Sequence, residues 1–164
     1  MHHSKENIST IILVGGQGSR FSKMNSPPKH LTKLNKNIIL INIINNLKKF
    51  GFKHFIFPLG YKKEYFIKFF NSMNNQKKFG FKIVDHKISA KDLESKKILI
   101  SFFDAGKKTN KLTRIYKSKN YTMMNNLLII YGDDLANVNF KKIKSLFLKN
   151  KKTKVIISVY KKKS

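Results

Sequence analysis

The chain alternates short apolar runs with stretches whose apolar residues recur at helical spacing. Residues 8–14 run through Ile8, Ile11, Ile12, Leu13 and Val14 to the pair Gly15–Gly16, the pattern of a buried parallel strand bounded by a loop. Residues 37–50 are rich in β-branched side chains but too long for one strand. There Leu40, Ile43, Ile44 and Leu47 repeat at helical spacing, and Gly51 stands where a helix C-cap glycine belongs. Residues 54–59 form a second strand, with Pro58 placing its end near Gly60. Residues 62–73 put Tyr65, Phe66, Phe69, Phe70 and Met73 on one helical face, a stripe expected in the core. Strands follow at 81–84 and 98–103, around a charged segment at 85–97 that has no readable pattern. Residues 127–131 predict another buried strand, ending at Gly132–Asp133–Asp134. Residues 140–148 predict an amphipathic helix with Ile143, Leu146 and Phe147 inward, and 155–160 a final strand.

Strands alternating with helices predict an α/β fold: a Rossmann-like three-layer α/β/α sandwich around a mostly parallel sheet. With no internal repeat and no low-complexity linker, residues 1–164 are expected to form one domain. Ligands of such sheets bind beyond the carboxyl ends of the strands. The two most polar motifs of the chain, after residues 14 and 131, fall at such ends.

Composition changes this picture only at its edges. A hydrophobic fraction of 41% and 14 Phe suit a folded protein rather than a disordered one. No apolar run approaches membrane-spanning length, and residues 11–14 are too short for a signal-peptide core, so no membrane association and a cytoplasmic location are expected. The absence of cysteine fits the same compartment and removes any thiolate metal site. His2 and His3 adjoin a chain end, where fraying outweighs metal binding.

The net charge of +27 at first suggests nucleic acid. Against that, the basic residues are 33 Lys and 2 Arg, the lysines are spread along the whole chain, and nucleic-acid readers favour Arg. The accompanying excess of Asn, Ile and Phe is what AT-rich codons produce. No specific nucleic acid is therefore expected, although the field would help to attract phosphorylated substrates.

Gly15–Gly16–Gln17–Gly18–Ser19–Arg20 follows the first strand. Glycines there let the backbone approach a ligand, consecutive N–H groups can nest an anion, and the Arg20 fork suits phosphate oxygens. A tight turn with a solvated arginine is the plainer alternative. The pattern is neither a dinucleotide fingerprint nor a P-loop, lacking a third spaced glycine and Gly-Lys-Ser/Thr. Pro27–Pro28–Lys29 stiffens the approach of a second cation. Tyr131–Gly132–Asp133–Asp134 puts carboxylates at another strand end, where they can hold Mg²⁺ beside substrate phosphates or simply form a turn.

These residues resemble the sugar-1-phosphate nucleotidyltransferases. Residues 15–20 with Pro28–Lys29–His30–Leu31 are similar to that family's G-G-x-G-[ST]-R and P-K-x-[LM] signature. Gly60–Tyr61–Lys62, and Tyr131–Gly132–Asp133–Asp134–Leu135 with Asn137–Val138–Asn139, resemble segments of its glucose-1-phosphate cytidylyltransferase branch. The resemblance implies a fold of the nucleotide-diphospho-sugar transferase type and transfer between a nucleoside triphosphate, CTP favoured, and a sugar 1-phosphate, glucose 1-phosphate favoured. It assigns nucleotide binding to Gly15, Gly16, Gln17, Gly18, Ser19, Arg20 and Lys29. Catalytic charge stabilisation falls to Arg20 and Lys29, and Mg²⁺ binding to Asp133. It also implies a homo-oligomer.

The sequence departs from the family at three places. Asp134 replaces a glycine, adding a charge beside the metal-binding position. Around residues 104–111 a loop with paired glycines and an arginine is shortened, and Lys111 stands near the arginine's place. The family also extends well beyond the end of this sequence, through a sugar-binding segment, so the 164 residues are expected to form the nucleotide-binding half.

Overall fold

The computed structural model describes residues 8–16, 26–122, 124, 126–133, 138–149 and 155–157. Along the chain come β1 (Ser9–Leu13), β2 (Lys33–Leu34), β3 (Asn37–Ile38), α1 (Ile39–Lys49), β4 (His54–Leu59), α2 (Lys63–Asn71) and α3 (Met73–Phe79). After them follow β5 (Phe81–Ile83), α4 (Ala90–Leu93), β6 (Ile98–Asp104), α5 (Lys111–Ser118), β7 (Leu127–Tyr131) and α6 (Phe140–Lys149). Five strands form one parallel sheet in the order β5-β6-β4-β1-β7, while β2 and β3 make a small antiparallel pair. The chain builds outward from β1 through β4, then returns to lay β7 on the opposite side of β1. The topological switch point, where ligands of open α/β sheets bind, thus lies between β1 and β7.

Side-chain alternation divides the core between two faces. Phe55, Phe57 and Leu59 of β4 join Ile12 and Val14, the apolar stripe of α1, and Phe66 and Phe70 of α2 in one large cluster that also takes in Phe140 of α6. Phe70 is an aromatic hub, with ring centroids 4.7 Å from Phe57 and 5.6 Å from Phe102. The residues between these, among them Ser9, His54 and Ser101, form a thinner, more polar layer on the other face. Val84, Ile88 and Leu99 make a separate apolar cluster against Leu93 of α4.

Helix α1 buries the predicted Leu40, Ile43, Ile44 and Leu47. Its end is a Schellman motif: Gly51 N–H donates to Lys48 O at 3.0 Å and Phe52 N–H to Leu47 O at 3.3 Å. Gly51 sits at φ +85°, where a Cβ is strained. Gly51→Ala is expected to cost about 1 kcal/mol, lowering Tm by about 2–4 °C in a thermal melt.

Four expectations are corrected. The helix over 62–73 breaks at Ser72, whose hydroxyl accepts from Asn75 N–H and starts α3. Met73, beyond the break, leaves the buried face at 64% exposure, and Tyr65 is exposed within α2 itself. Strand β7 is less buried than expected: among the described residues it pairs with β1 alone, and Ile129 and Tyr131 are exposed. In α6, Leu146 is exposed and Phe140 carries the burial. Residues 155–157 of the final expected strand lack regular structure, with Val155 and Ile157 exposed; the rest of it lies outside the described residues.

Candidate functional site

The parallel register sets Leu13 against Tyr131, and Gly132 N–H continues the ladder by donating to Leu13 O at 3.1 Å. Val14–Gly15–Gly16 and Gly132–Asp133 therefore leave the sheet side by side at the switch point. Glycine at 132 is a packing requirement. A Cβ there would lie 2.5 Å from Val14 Cγ1 and 2.9 Å from His30 Cδ2. Gly16 differs: a Cβ would meet nothing within 4 Å among the described residues, and its φ is not positive. Neither packing nor backbone strain calls for glycine at 16, which leaves the surface above it open to a ligand.

Lys29 arrives from the side. Pro28 holds an extended conformation, and Lys29–Leu31 form a single 3₁₀ turn closed by Leu31 N–H donating to Pro28 O at 2.8 Å. Thr32 Oγ1 donates to Lys29 O at 2.7 Å and fixes the turn. Lys29 Nζ then lies 3.5 Å from Asp133 Oδ2, with the two side chains 41% and 40% exposed. So long and open an ion pair contributes little to stability. Both groups can exchange each other for a ligand at small cost.

His30, the next residue, tucks beneath this pair, its ring 5.9 Å from Phe66. Burial pushes its pKa down, a shift that Asp133 opposes and Lys29 reinforces. The imidazole is accordingly neutral near pH 7 and does not compete with Lys29 for anions.

The loop after β4 also reaches the site. Lys62, in the left-handed region at φ +57°, donates from Nζ to Ser26 O at 2.6 Å and ties this loop to the segment that delivers Lys29. Beside it opens a cavity of about 400 Å³ lined by Tyr61, Lys62, Lys63, Asp104 and Lys107. Lys63 Nζ is 2.6 Å from Asp104 Oδ2. That hydrogen bond, aided by the Gly106 N–H, holds the Asp104 carboxyl below its usual range.

Of the residues assigned from sequence, Gly15, Gly16, Lys29 and Asp133 meet at one corner of the sheet. Gln17, Gly18, Ser19 and Arg20 lie outside the described residues, as does Asp134. Arg114 was missed. It is buried against Gly15 and Gly60, and its signal in the sequence is its place ten residues after Asp104: counted without a gap, the arginine of the family's loop falls at 114 rather than near Lys111. Among the described residues no group of three or more His, Cys, Asp or Glu gathers that could hold a metal. A protein cage is thus not built from them, whereas Mg²⁺ carried mainly by substrate phosphates needs one exposed carboxylate such as Asp133. Also among the described residues, no helix is long and apolar enough to cross a membrane.

No family profile matches the chain. A probable glucose-1-phosphate cytidylyltransferase of Bacillus subtilis (strain 168) is 30% identical over 139 residues, covering 80% of this chain and 52% of that protein. Over most of its length this chain is similar in sequence to that nucleotidyltransferase. The crystal structure of HddC from Yersinia pseudotuberculosis, complexed with GMP-PN, superposes with a TM-score of 0.60 at 18% identity, covering 85% of this chain and 53% of that one. At that identity the likeness establishes the fold, a Rossmann-like α/β sheet. The chain spans about half the length of both proteins.

Proposed function

We propose that this chain binds the nucleoside triphosphate in a sugar-1-phosphate nucleotidyltransferase reaction, with CTP and glucose 1-phosphate the favoured pair and a nucleotide sugar and pyrophosphate as products. The carrying observation is the Lys29–Asp133 pair, 3.5 Å apart at the switch point and beside the open surface of Gly16. A cation for phosphate and a carboxylate for Mg²⁺ stand within reach of the same ligand. The Bacillus relative supports the cytidylyl assignment, and the GMP-PN bound to HddC supports a nucleotide site on this fold.

The chemistry asks little of the protein beyond position and charge. An oxygen of the sugar phosphate, already anionic near neutral pH, attacks the α-phosphorus. As that bond forms, the bond from the α-phosphorus to the oxygen bridging it to the β-phosphate breaks, and pyrophosphate leaves with the electron pair. No general base is required. Lys29, swinging from Asp133, would neutralise charge on the α-phosphate, and Arg20 would hold the departing phosphates. Gly15, Gly16, Gln17, Gly18 and Ser19 would line the phosphates with backbone groups. Asp133 would hold a triphosphate-chelated Mg²⁺, which supplies further charge neutralisation there. The reaction suits the cytoplasm, and a homo-oligomeric assembly is part of the same proposal.

The test is a thermal-shift panel with CTP, UTP, dTTP, ATP and GTP, each with and without Mg²⁺. Ligands that bind the folded state raise Tm. A Mg²⁺-dependent rise with CTP alone is expected. Equal small rises with every nucleotide would reduce the site to the general positive field. A second reading of the same site is nucleotide binding without turnover. Pyrophosphate release on adding glucose 1-phosphate separates the two.

A further inference from the structure

The arm that delivers Lys29 is stiff and is held at both ends. Pro27 and Pro28 fix their own φ angles and leave little freedom between Ser26 and Lys29. At the far end Leu31 N–H donates to Pro28 O at 2.8 Å, and Ile39 N–H donates to Thr32 O at 3.1 Å, which ties the arm to the start of α1. At the near end Lys62 Nζ donates to Ser26 O at 2.6 Å, linking residues 36 apart in the sequence. So short a bond from an ammonium is of the strong, charge-assisted kind. Lys62 makes it from an unfavourable backbone. It holds φ +57° and ψ +32° at the start of α2, and its side chain makes no capping hydrogen bond there. A residue with a Cβ is strained in that region, whereas glycine is not. For the turn alone glycine would serve better; what lysine adds is the bond to Ser26. The adjacent Lys63 cannot take its place, since its Nζ lies 2.6 Å from Asp104 Oδ2.

We propose that Lys62 is a positioning residue that acts on the nucleotide through Lys29: its ammonium holds the Ser26 carbonyl, so the loop after β4 sets the near end of the Pro27–Pro28 arm and, through it, the place of the Lys29 amine. The proposal rests on the nucleotide reading above. Lys62 then needs no contact with the ligand. The two prolines carry its hold on Ser26 forward to Lys29, whose Nζ stays 3.5 Å from Asp133 Oδ2 at the end of β7.

The experiment compares the parent with Lys62→Met, which keeps the strain and loses the ammonium, Lys62→Gly, which loses both, and Lys62→Arg, which keeps a cation. Lys29→Ala and the double variant Lys29→Ala/Lys62→Met complete the set. Tm and amide hydrogen exchange are recorded without ligand. Affinities for CTP with Mg²⁺ and for inorganic triphosphate are measured by calorimetry well below each Tm. Lys62→Met and Lys62→Gly are each expected to weaken both ligands by about five- to tenfold. Both should also speed exchange of the Leu31 and Thr32 amides, which close the turn at Lys29. Lys62→Gly should nevertheless melt above Lys62→Met, so that affinity does not follow stability, and Lys62→Arg should recover part of the affinity. With Lys29 already alanine, Lys62→Met should cost less than about twofold. A full, additive loss there would put Lys62 on the ligand itself and overturn the proposal. Parent-like affinity in folded Lys62→Met or Lys62→Gly would also overturn it, leaving the lysine a structural tie. If Lys62→Met fails to fold, Lys62→Gly takes its place, alone and with Lys29→Ala. A parent chain that binds neither ligand sinks the nucleotide reading and this role with it. Unchanged exchange at Leu31 and Thr32, in a parent that does bind, overturns the positioning role alone.

Discussion

Lys29→Ala is expected to weaken binding of CTP with Mg²⁺ by about 10–100-fold and, where the chain turns over, to slow transfer by about 10²–10³-fold. The affinity loss follows from deleting a charge-assisted contact to phosphate. The rate loss follows from removing a cation from the place where charge builds on the α-phosphate. The variant also leaves Asp133 without the amine 3.5 Å away, so its carboxylate should repel a metal-free triphosphate and sharpen the dependence on Mg²⁺. Stability should change little, since the pair is exposed on both sides. The control is Lys33→Ala, an exposed lysine on β2 that removes the same charge from the general field. Calorimetric titration of both variants decides the matter. Equal losses would mean that any lysine serves, and the site would dissolve into the net charge of +27. A loss confined to Lys29→Ala would tie binding to the corner between β1 and β7.

That corner was legible in the sequence because its parts are punctuation. Strand β1 ends at consecutive glycines, β7 ends at Gly132–Asp133, and Pro28 precedes Lys29. Each signal is local, and sheet topology does the rest by putting β1 next to β7. The strands and α1 were readable for the same reason. Buried parallel strands are continuous apolar runs, and the Gly51 cap is a single-residue device.

What escaped is what only tertiary contact defines. Helix α5 carries little apolar surface, with Leu112 and Tyr116 exposed, and it is held by Asn110 accepting from Thr113 N–H and by the buried Arg114. No periodicity announces a helix anchored through a guanidinium. The segment 85–97 was opaque because its order comes from polar contacts. Ser89 and Asp92 form a capping box that starts α4, and His86 and Lys82 close on the same carboxylate. The reading of β7 as buried failed because an apolar run does not reveal how fully its two faces are covered, and Ile129 and Tyr131 are exposed. Packing on Arg114 by itself calls for glycine at 15, whereas at Gly16 no described neighbour does.

Acidification from pH 7.5 to 4.5 is expected to remove about 2.5 kcal/mol of stability through His54 alone. Its imidazole is buried at the start of β4, with Nδ1 2.9 Å from Ser9 Oγ and Nε2 3.0 Å from Ser101 Oγ. Ser9 Oγ in turn lies 2.6 Å from Thr122 Oγ1, so a polar chain crosses β1, β4 and β6 on the thinner face of the sheet. Burial pushes the His54 pKa from its ordinary 6.5 to about 4, against a weak upward pull from Asp92. Between those values the unfolded chain takes up a proton that the folded chain refuses. The stability from a neutral His54 is therefore complete above pH 6.5 and drains away as pH falls toward 4. His30, also lowered by burial, acts in the same direction. His86 acts oppositely, because hydrogen bonds to Asp92 and Asp85 raise its pKa and its stabilisation is lost as pH rises, but its exposure keeps that contribution small. Urea denaturation across this range checks the balance. The parent chain should lose stability steadily below pH 6.5, and His54→Gln, which keeps an acceptor and a donor without the titration, should give a much flatter curve. Curves of equal slope would show that His54 is not the group that senses acid, and would move the effect to the carboxylates that titrate lower.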